Sequence, residues 1–106
     1  MALVHALIPS GFSVETKKKF IEGTKKAMCD SFDFTPVGVS VWLSEFDRED
    51  MCEHAAKKRV LIVYSTAGKT SEQKNTAAGL FEKVCADVLG PDKGDTFIVF
   101  KEHTTD

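Results

Sequence analysis

Apolar residues fall along this chain in four short runs separated by two longer stretches of helical spacing. The runs at 3–8, 39–43, 60–64 and 96–100 are rich in β-branched and aromatic residues, the composition of strands. The clearer helical stretch carries Ala77, Phe81, Val84, Cys85 and Val88, which fall on one stripe of a helix. Its start is marked by Thr70 and, three residues on, Gln73. Such a pair forms a capping box, each side chain satisfying an unpaired backbone N–H of the other. Leu89, Gly90 and Pro91 mark its end: glycine accepts the left-handed backbone of a helix terminus, and proline cannot continue the helix.

A shift of 57 positions aligns the chain with itself without a gap. Gly11, Ser13, Glu15 and Lys17 fall on Gly68, Thr70 ahead of Ser71, Glu72 and Lys74. Asp30 falls on Asp87, Glu45 on Glu102, and the 39–43 run on 96–100. The stripe of the second helix falls on Phe20, Thr24, Ala27, Met28 and Ser31, a more polar version of itself. Two copies of one strand–helix–strand unit result, 1–58 and 59–106, within a single domain spanning 1–106. A crossover of this kind buries one sheet face beneath its helix. The expected fold is α/β (α+β): two tandem βαβ units, a four-stranded mixed sheet and two helices on one face.

Both registers of the strands are apolar, Leu3 and Leu7 as well as Val4 and Ile8, Val60 and Ile62 as well as Leu61 and Val63. That pattern indicates a sheet covered on both faces. The chain offers no third layer, so the second face is expected to pack against other copies of the chain.

Composition narrows the functional classes. A chain of 106 residues suits one domain, and 42% hydrophobic with 28% charged residues describes a globular protein. The formal net charge is −2, and no segment interleaves clustered lysines with aromatics; both argue against a nucleic-acid partner. The first apolar run has no preceding positive charge and stops at Pro9, which fits neither a secretory signal nor a membrane span. Cys29, Cys52 and Cys85 form an odd set without paired spacing, read as reduced thiols in the cytoplasm.

The helix starts share a Gly-x-Ser/Thr-x-Glu-x-Lys pattern, best seen from Gly68 to Lys74, and the first unit closes on Val39, Val41 and Glu45. In these motifs, and in their order, the chain resembles the tautomerase superfamily, in its 4-oxalocrotonate tautomerase and fused, MIF-like branches. The resemblance covers nearly the whole chain apart from the 46–58 connector. It implies a homotrimer acting on small 2-oxo acids, with an N-terminal proline amine as the catalytic base, and no cofactor or metal is expected. In this sequence the proline position is Ala2. The family's turn arginine falls on Phe12, and its second-strand arginine on Ser40. The same turn of the second unit keeps a cation, Lys69, and the glycine pair after the second strand is missing from 46–54.

An alanine can supply part of the proline's chemistry. Its small side chain favours removal of Met1, which leaves a free α-amine of reference pKa roughly 7.7–8.0, lowered by burial. Such an amine can act as a base near neutral pH or form an imine with a carbonyl. Lys69 is the candidate partner for a substrate anion, without the bidentate fork of arginine. Phe12 and Trp42 can line the mouth of an apolar site, with Ser40 beside them. The structural alternatives are that Ala2 only begins a strand and that Lys69 is a solvated turn residue. By the same alternatives Phe12 packs, Trp42 packs at a subunit interface, and Ser40 saves space in its strand.

His5 falls on Ile62 under the shift and reads as a buried, hydrogen-bonded imidazole. Cys52 and His54, with Glu49, Asp50 and Glu53 nearby, match no standard zinc spacing and read as a solvated acidic loop. Cys85 sits on the buried stripe as an inert thiol. Three functional classes follow: an amine-dependent isomerase or lyase, a silent trimeric scaffold, and a ferredoxin-like binding module with the same element order.

Overall fold

In the computed structural model, which describes residues 2–52, 57–91 and 94–103, the 57-residue shift carries each element onto its counterpart. Strand β1 (Ala2–Pro9) maps onto β3 (Arg59–Thr66), and β2 (Val39–Phe46) onto β4 (Thr96–His103). Helix α1 (Val14–Phe32) maps onto α2 (Ser71–Val84) together with the π-helical turn Cys85–Leu89 that continues it. The sheet order is β2-β1-β3-β4. β1 is parallel to β2 and β3 to β4, while β1 and β3 meet antiparallel at the centre. This is the expected α+β arrangement of a mixed sheet with two helices on one face.

The local chemistry repeats with the elements. Ser13 caps α1 by accepting from the Thr16 N–H, and Thr70 and Gln73 form the predicted capping box on α2. Both entry turns use a glycine at positive φ, Gly11 at 111° and Gly68 at 103°, where a side chain would be strained. Lys17 reaches Glu45 at 2.5 Å, and Lys74 reaches Glu102 at 2.6 Å. Each pair fastens the first turn of a helix to the end of its closing strand. Exposed pairs of this kind contribute little to stability, and their repetition chiefly fixes register.

Alternate residues of the central strands, Val4, Ala6, Ile8, Leu61 and Val63, point under the helices and meet Phe20, Met28, Phe81 and Cys85. All five positions of the α1 stripe are buried, Thr24 and Ser31 included. The α2 stripe departs from expectation at its end: Val84 and Val88 are half-buried and Leu89 is buried. The reason is the wider π turn, which rotates the last residues so that Leu89 replaces Val88 over the core. Gly23 lets the helices approach, since a Cβ there would lie 3.0 Å from Cγ1 of Val84.

At the start of β3, where the shift places the counterpart of Ala2, stands Arg59, only 9% exposed. Its Nη1 donates to the Gly90 carbonyl at 3.1 Å and to the Cys85 carbonyl at 3.5 Å, and its Nη2 donates to the Leu89 carbonyl at 3.3 Å. Carbonyls at a helix C-terminus lack intrahelical partners and carry partial negative charge. The guanidinium supplies both a donor fork and a compensating charge.

The opposite sheet face carries Leu3, His5 and Leu7, flanked by Ser40, Trp42 and Ser44 on one side and Val60, Ile62 and Tyr64 on the other. Phe97 and Val99 extend it across β4. No described segment of the chain covers this face, and Trp42 is 66% and Phe97 50% exposed. Among the described residues no helix is long and apolar enough to cross a membrane.

Arg59→Leu is expected to destabilise the fold by about 2–4 kcal/mol, because buried carbonyls lose their donors. Arg59→Lys should recover only part of the loss. The midpoint of urea unfolding reads both.

Candidate functional site

Pairing directions decide which ends of the strands meet. β1 runs with β2 and against β3, so the starts of β1 and β2 share one end of the sheet with the ends of β3 and β4. Ala2 pairs with Val39 there, and the residue is 2% exposed, part of the core. The turn that follows β3 closes over the same end, where the Ala67 N–H donates to the His103 carbonyl at 3.0 Å. That turn carries Lys69.

Lys69 is held by aromatic rings. Its Nζ lies 4.6 Å from the centroid of Phe34 and 6.0 Å from that of Phe32. Phe32 in turn packs against Phe34 at 6.1 Å and edge-on against Phe100 at 6.3 Å. An ammonium over a ring face is attracted by the ring quadrupole. Lys69 is half-buried and makes no ion pair among the described residues, although its charge is felt by Glu102.

Glu102 anchors the same turn from β4. The hydrogen bond from Lys74 is the main reason its carboxyl is held below its ordinary range, opposed by desolvation and helped by the charge of Lys74. The Gly68 N–H also donates to it, and the Lys69 charge acts in the same direction. One carboxylate thereby ties the helix start, the turn backbone and the closing strand together.

The remaining candidates lie elsewhere. Ser40 follows Val39 on β2 but is exposed, on the strand's open side. Trp42 stands farther along that side and, with Leu3, His5 and Tyr64, lines a shallow apolar hollow of about 370 Å³. Phe12 occupies the turn after β1, at the opposite end of an eight-residue strand, hence about 25 Å from Ala2 at roughly 3.3 Å per residue. It packs half-buried against the core. Within one chain, Ala2 and Lys69 share an end, Ser40 and Trp42 lie along the open face, and Phe12 does not join them.

His5 differs from expectation. It is half-buried on the open face, where its Nε2 lies 2.7 Å from Oγ of Ser44. Period-two alternation explains this, since Val4 and Ala6 take the core side. Cys85 is fully buried, as read from the stripe. Cys52 is exposed, whereas Glu53 and His54 lie outside the described residues. Among the described residues no group of three His, Cys, Asp or Glu side chains could hold a metal ion.

The aromatic platform of Phe32, Phe34 and Phe100, and the anchoring role of Glu102, are absent from the sequence reading. Phe32 had a signal, because it continues the α1 stripe four residues beyond Met28. Glu102 had one too, as the shifted partner of Glu45.

Because its folded-state pKa is lowered, Glu102 contributes stability above the ordinary carboxylate pKa, and that contribution is lost as pH falls through the lowered value. The thermal midpoint of the native protein should therefore fall more steeply between about pH 5 and about pH 3 than that of Glu102→Gln. Parallel curves would contradict the anchor.

No protein-family model and no curated protein matches the sequence. Solved structures match along almost its whole length. A fused 4-OT, described as a wild-type asymmetric trimer, is 24% identical, with 96% of this chain and 86% of that chain covered and a TM-score of 0.88. A native fused 4-OT is 21% identical, with 96% and 87% covered and a TM-score of 0.88. Malonate semialdehyde decarboxylase is 18% identical, with 96% and 84% covered and a TM-score of 0.81. The chain has the tautomerase-superfamily fold, in the fused form with two βαβ units in one polypeptide.

Proposed function

We propose that the chain forms a homotrimer in the cytoplasm and interconverts the keto and enol forms of a small 2-oxo acid at the Ala2 end of its sheet. The observation that carries this reading is the shared end of Ala2 and Lys69, an amine position and a ring-held cation. Once Met1 is removed, the Ala2 α-amine is the base. In an apolar surround its pKa falls from roughly 7.7–8.0 towards neutrality. It takes the proton from the carbon beside the oxo group and returns it to the enolate oxygen or carbon. The Lys69 ammonium pairs with the substrate carboxylate and offsets the charge that develops as the enolate forms.

The trimer is supported by the uncovered apolar face with Trp42 and Phe97, and by the trimeric state of the fused 4-OT structures. A second reading, a catalytically silent trimeric scaffold, draws on Ser40 and Phe12 at positions where the resemblance calls for arginine.

Three measurements decide. Sedimentation should give the mass of three 11.7 kDa chains; a monomer would contradict the assembly. Intact mass spectrometry should find Met1 absent, since a retained Met1 leaves no Ala2 amine. Phenylpyruvate tautomerisation should be catalysed by the native protein and raised by Ala2→Pro. Lys69→Ala should lower kcat/KM by about 10- to 100-fold, roughly 1.4–2.7 kcal/mol of transition-state stabilisation. Turnover only after Ala2→Pro, or none in either protein, favours the silent scaffold.

A further inference from the structure

The end of the sheet opposite Ala2 is its counterpart under the internal repeat, and it carries a hollow of its own. About 420 Å³ in volume, it lies beside the second half of α2 and the start of β4. Lys57, Lys83 and Thr96 line it, together with Gly79 and Gly94. We infer that this hollow is a second ligand site, which binds a small oxyanion, a carboxylate or phosphate of a few non-hydrogen atoms. The inference does not depend on the reading of the Ala2 end.

Three independent observations converge on it. The first is an unexplained glycine. Gly79 sits inside α2, where glycine is about 1 kcal/mol less favourable than alanine. A Cβ there would meet nothing within 4 Å, and its backbone does not need positive φ. No packing or conformational demand accounts for it. What its bare backbone does is keep the wall of the hollow open. Breaks of a local rule without a structural return concentrate at functional positions.

The second is Thr96, 8% exposed, whose Oγ1, like the hydroxyls of Thr24 and Ser31, has no hydrogen-bond partner among the described residues. Hydroxyls buried this deeply are nearly always satisfied. Thr96 lines the hollow, and a turn of its side chain would present the hydroxyl to a ligand oxygen.

The third is charge. Lys57 and Lys83 are in no ion pair among the described residues, unlike Lys17, Lys26 and Lys74. Lys57 is steered to the rim by donating its Nζ to the Gly94 carbonyl at 2.5 Å. Behind the hollow, Arg59 adds a buried positive charge whose hydrogen bonds go to neutral carbonyls. Glu82 is the one carboxylate among the described lining residues. The balance selects an anion.

Chemistry at the two ends then differs by necessity. Arg59 begins a strand inside the chain and has no α-amine, so this end can hold an oxyanion but has no base of the Ala2 kind. It is a binding site, not a second catalytic one.

The test is an NMR titration of the ¹⁵N-labelled full chain with malonate and, separately, inorganic phosphate, at ionic strength held constant with sodium chloride. Saturable shifts at the amides of Gly79, Lys83, Gly94 and Thr96 are expected, and the tighter ligand identifies the oxyanion class. Lys57→Met combined with Lys83→Met should weaken binding at least 10-fold, and Thr96→Val several-fold. Gly79→Leu is the sharpest variant: a better helix former, it should raise the thermal midpoint while abolishing the shifts. Lys69→Ala should leave this titration unchanged, which separates the site from the Ala2 end. Saturation by neither ligand, shifts that survive Gly79→Leu, or shifts that vanish in Lys69→Ala would overturn the site.

Discussion

The antiparallel pairing of β1 with β3 is the constraint on which the rest depends. Each βαβ unit is a parallel crossover that leaves one edge of its first strand unpaired. Joining the two first strands antiparallel satisfies both edges and generates a local twofold axis. The register shows where the axis runs: Leu3 pairs with Tyr64 and Leu7 with Val60, so the centre is the pair His5 and Ile62. The helices obey the same symmetry on their side of the sheet, where Lys26 and Asp30 of α1 face their shifted counterparts Lys83 and Asp87 across one groove. A parallel join would have put both strand starts at the same end. The antiparallel one puts them at opposite ends and creates two equivalent environments far apart.

Equivalent backbones then carry unlike chemistry. At one end the strand opens on Ala2, with a lysine in the overlying turn held by Phe34 and Phe32. At the other it opens on Arg59, whose side chain is consumed in closing the π turn of α2, and the corresponding turn residue is Phe12, packed into the core. Under the proposed function only the Ala2 end supplies an α-amine, and the second end is left to other uses.

Much of this was legible in the sequence because the signals are local or periodic. The offset between Gly11 and Gly68, the capping box of Thr70 and Gln73, and the apolar runs each follow from short-range rules, and together they indicate the four strands, the two helices and the mixed sheet. Three things escaped. The π turn displaced Val88 in favour of Leu89, a change in helical phase that residue types do not announce. His5 was assigned to the core because its shifted partner is apolar, but Ile62 belongs to the open face, where apolar residues are also required. The ring platform beneath Lys69 joins the end of one helix to another strand, and such long-range contacts leave no periodic trace. Spacing along the chain could likewise not show that Phe12 and Ala2 sit at opposite ends of one strand.

The claim at the centre of this account is the proposal that the Ala2 α-amine, freed by removal of Met1, is the single reactive amine of the chain. Reductive trapping addresses it directly: the protein is incubated with pyruvate and cyanoborohydride at neutral pH and the modified residue is located by peptide mass spectrometry. The account predicts one adduct per chain, on the Ala2 α-amine, formed well ahead of any modification of lysine. An Ala2 that is free of Met1 yet stays unmodified, or an adduct that forms first on a lysine ε-amine, would contradict it.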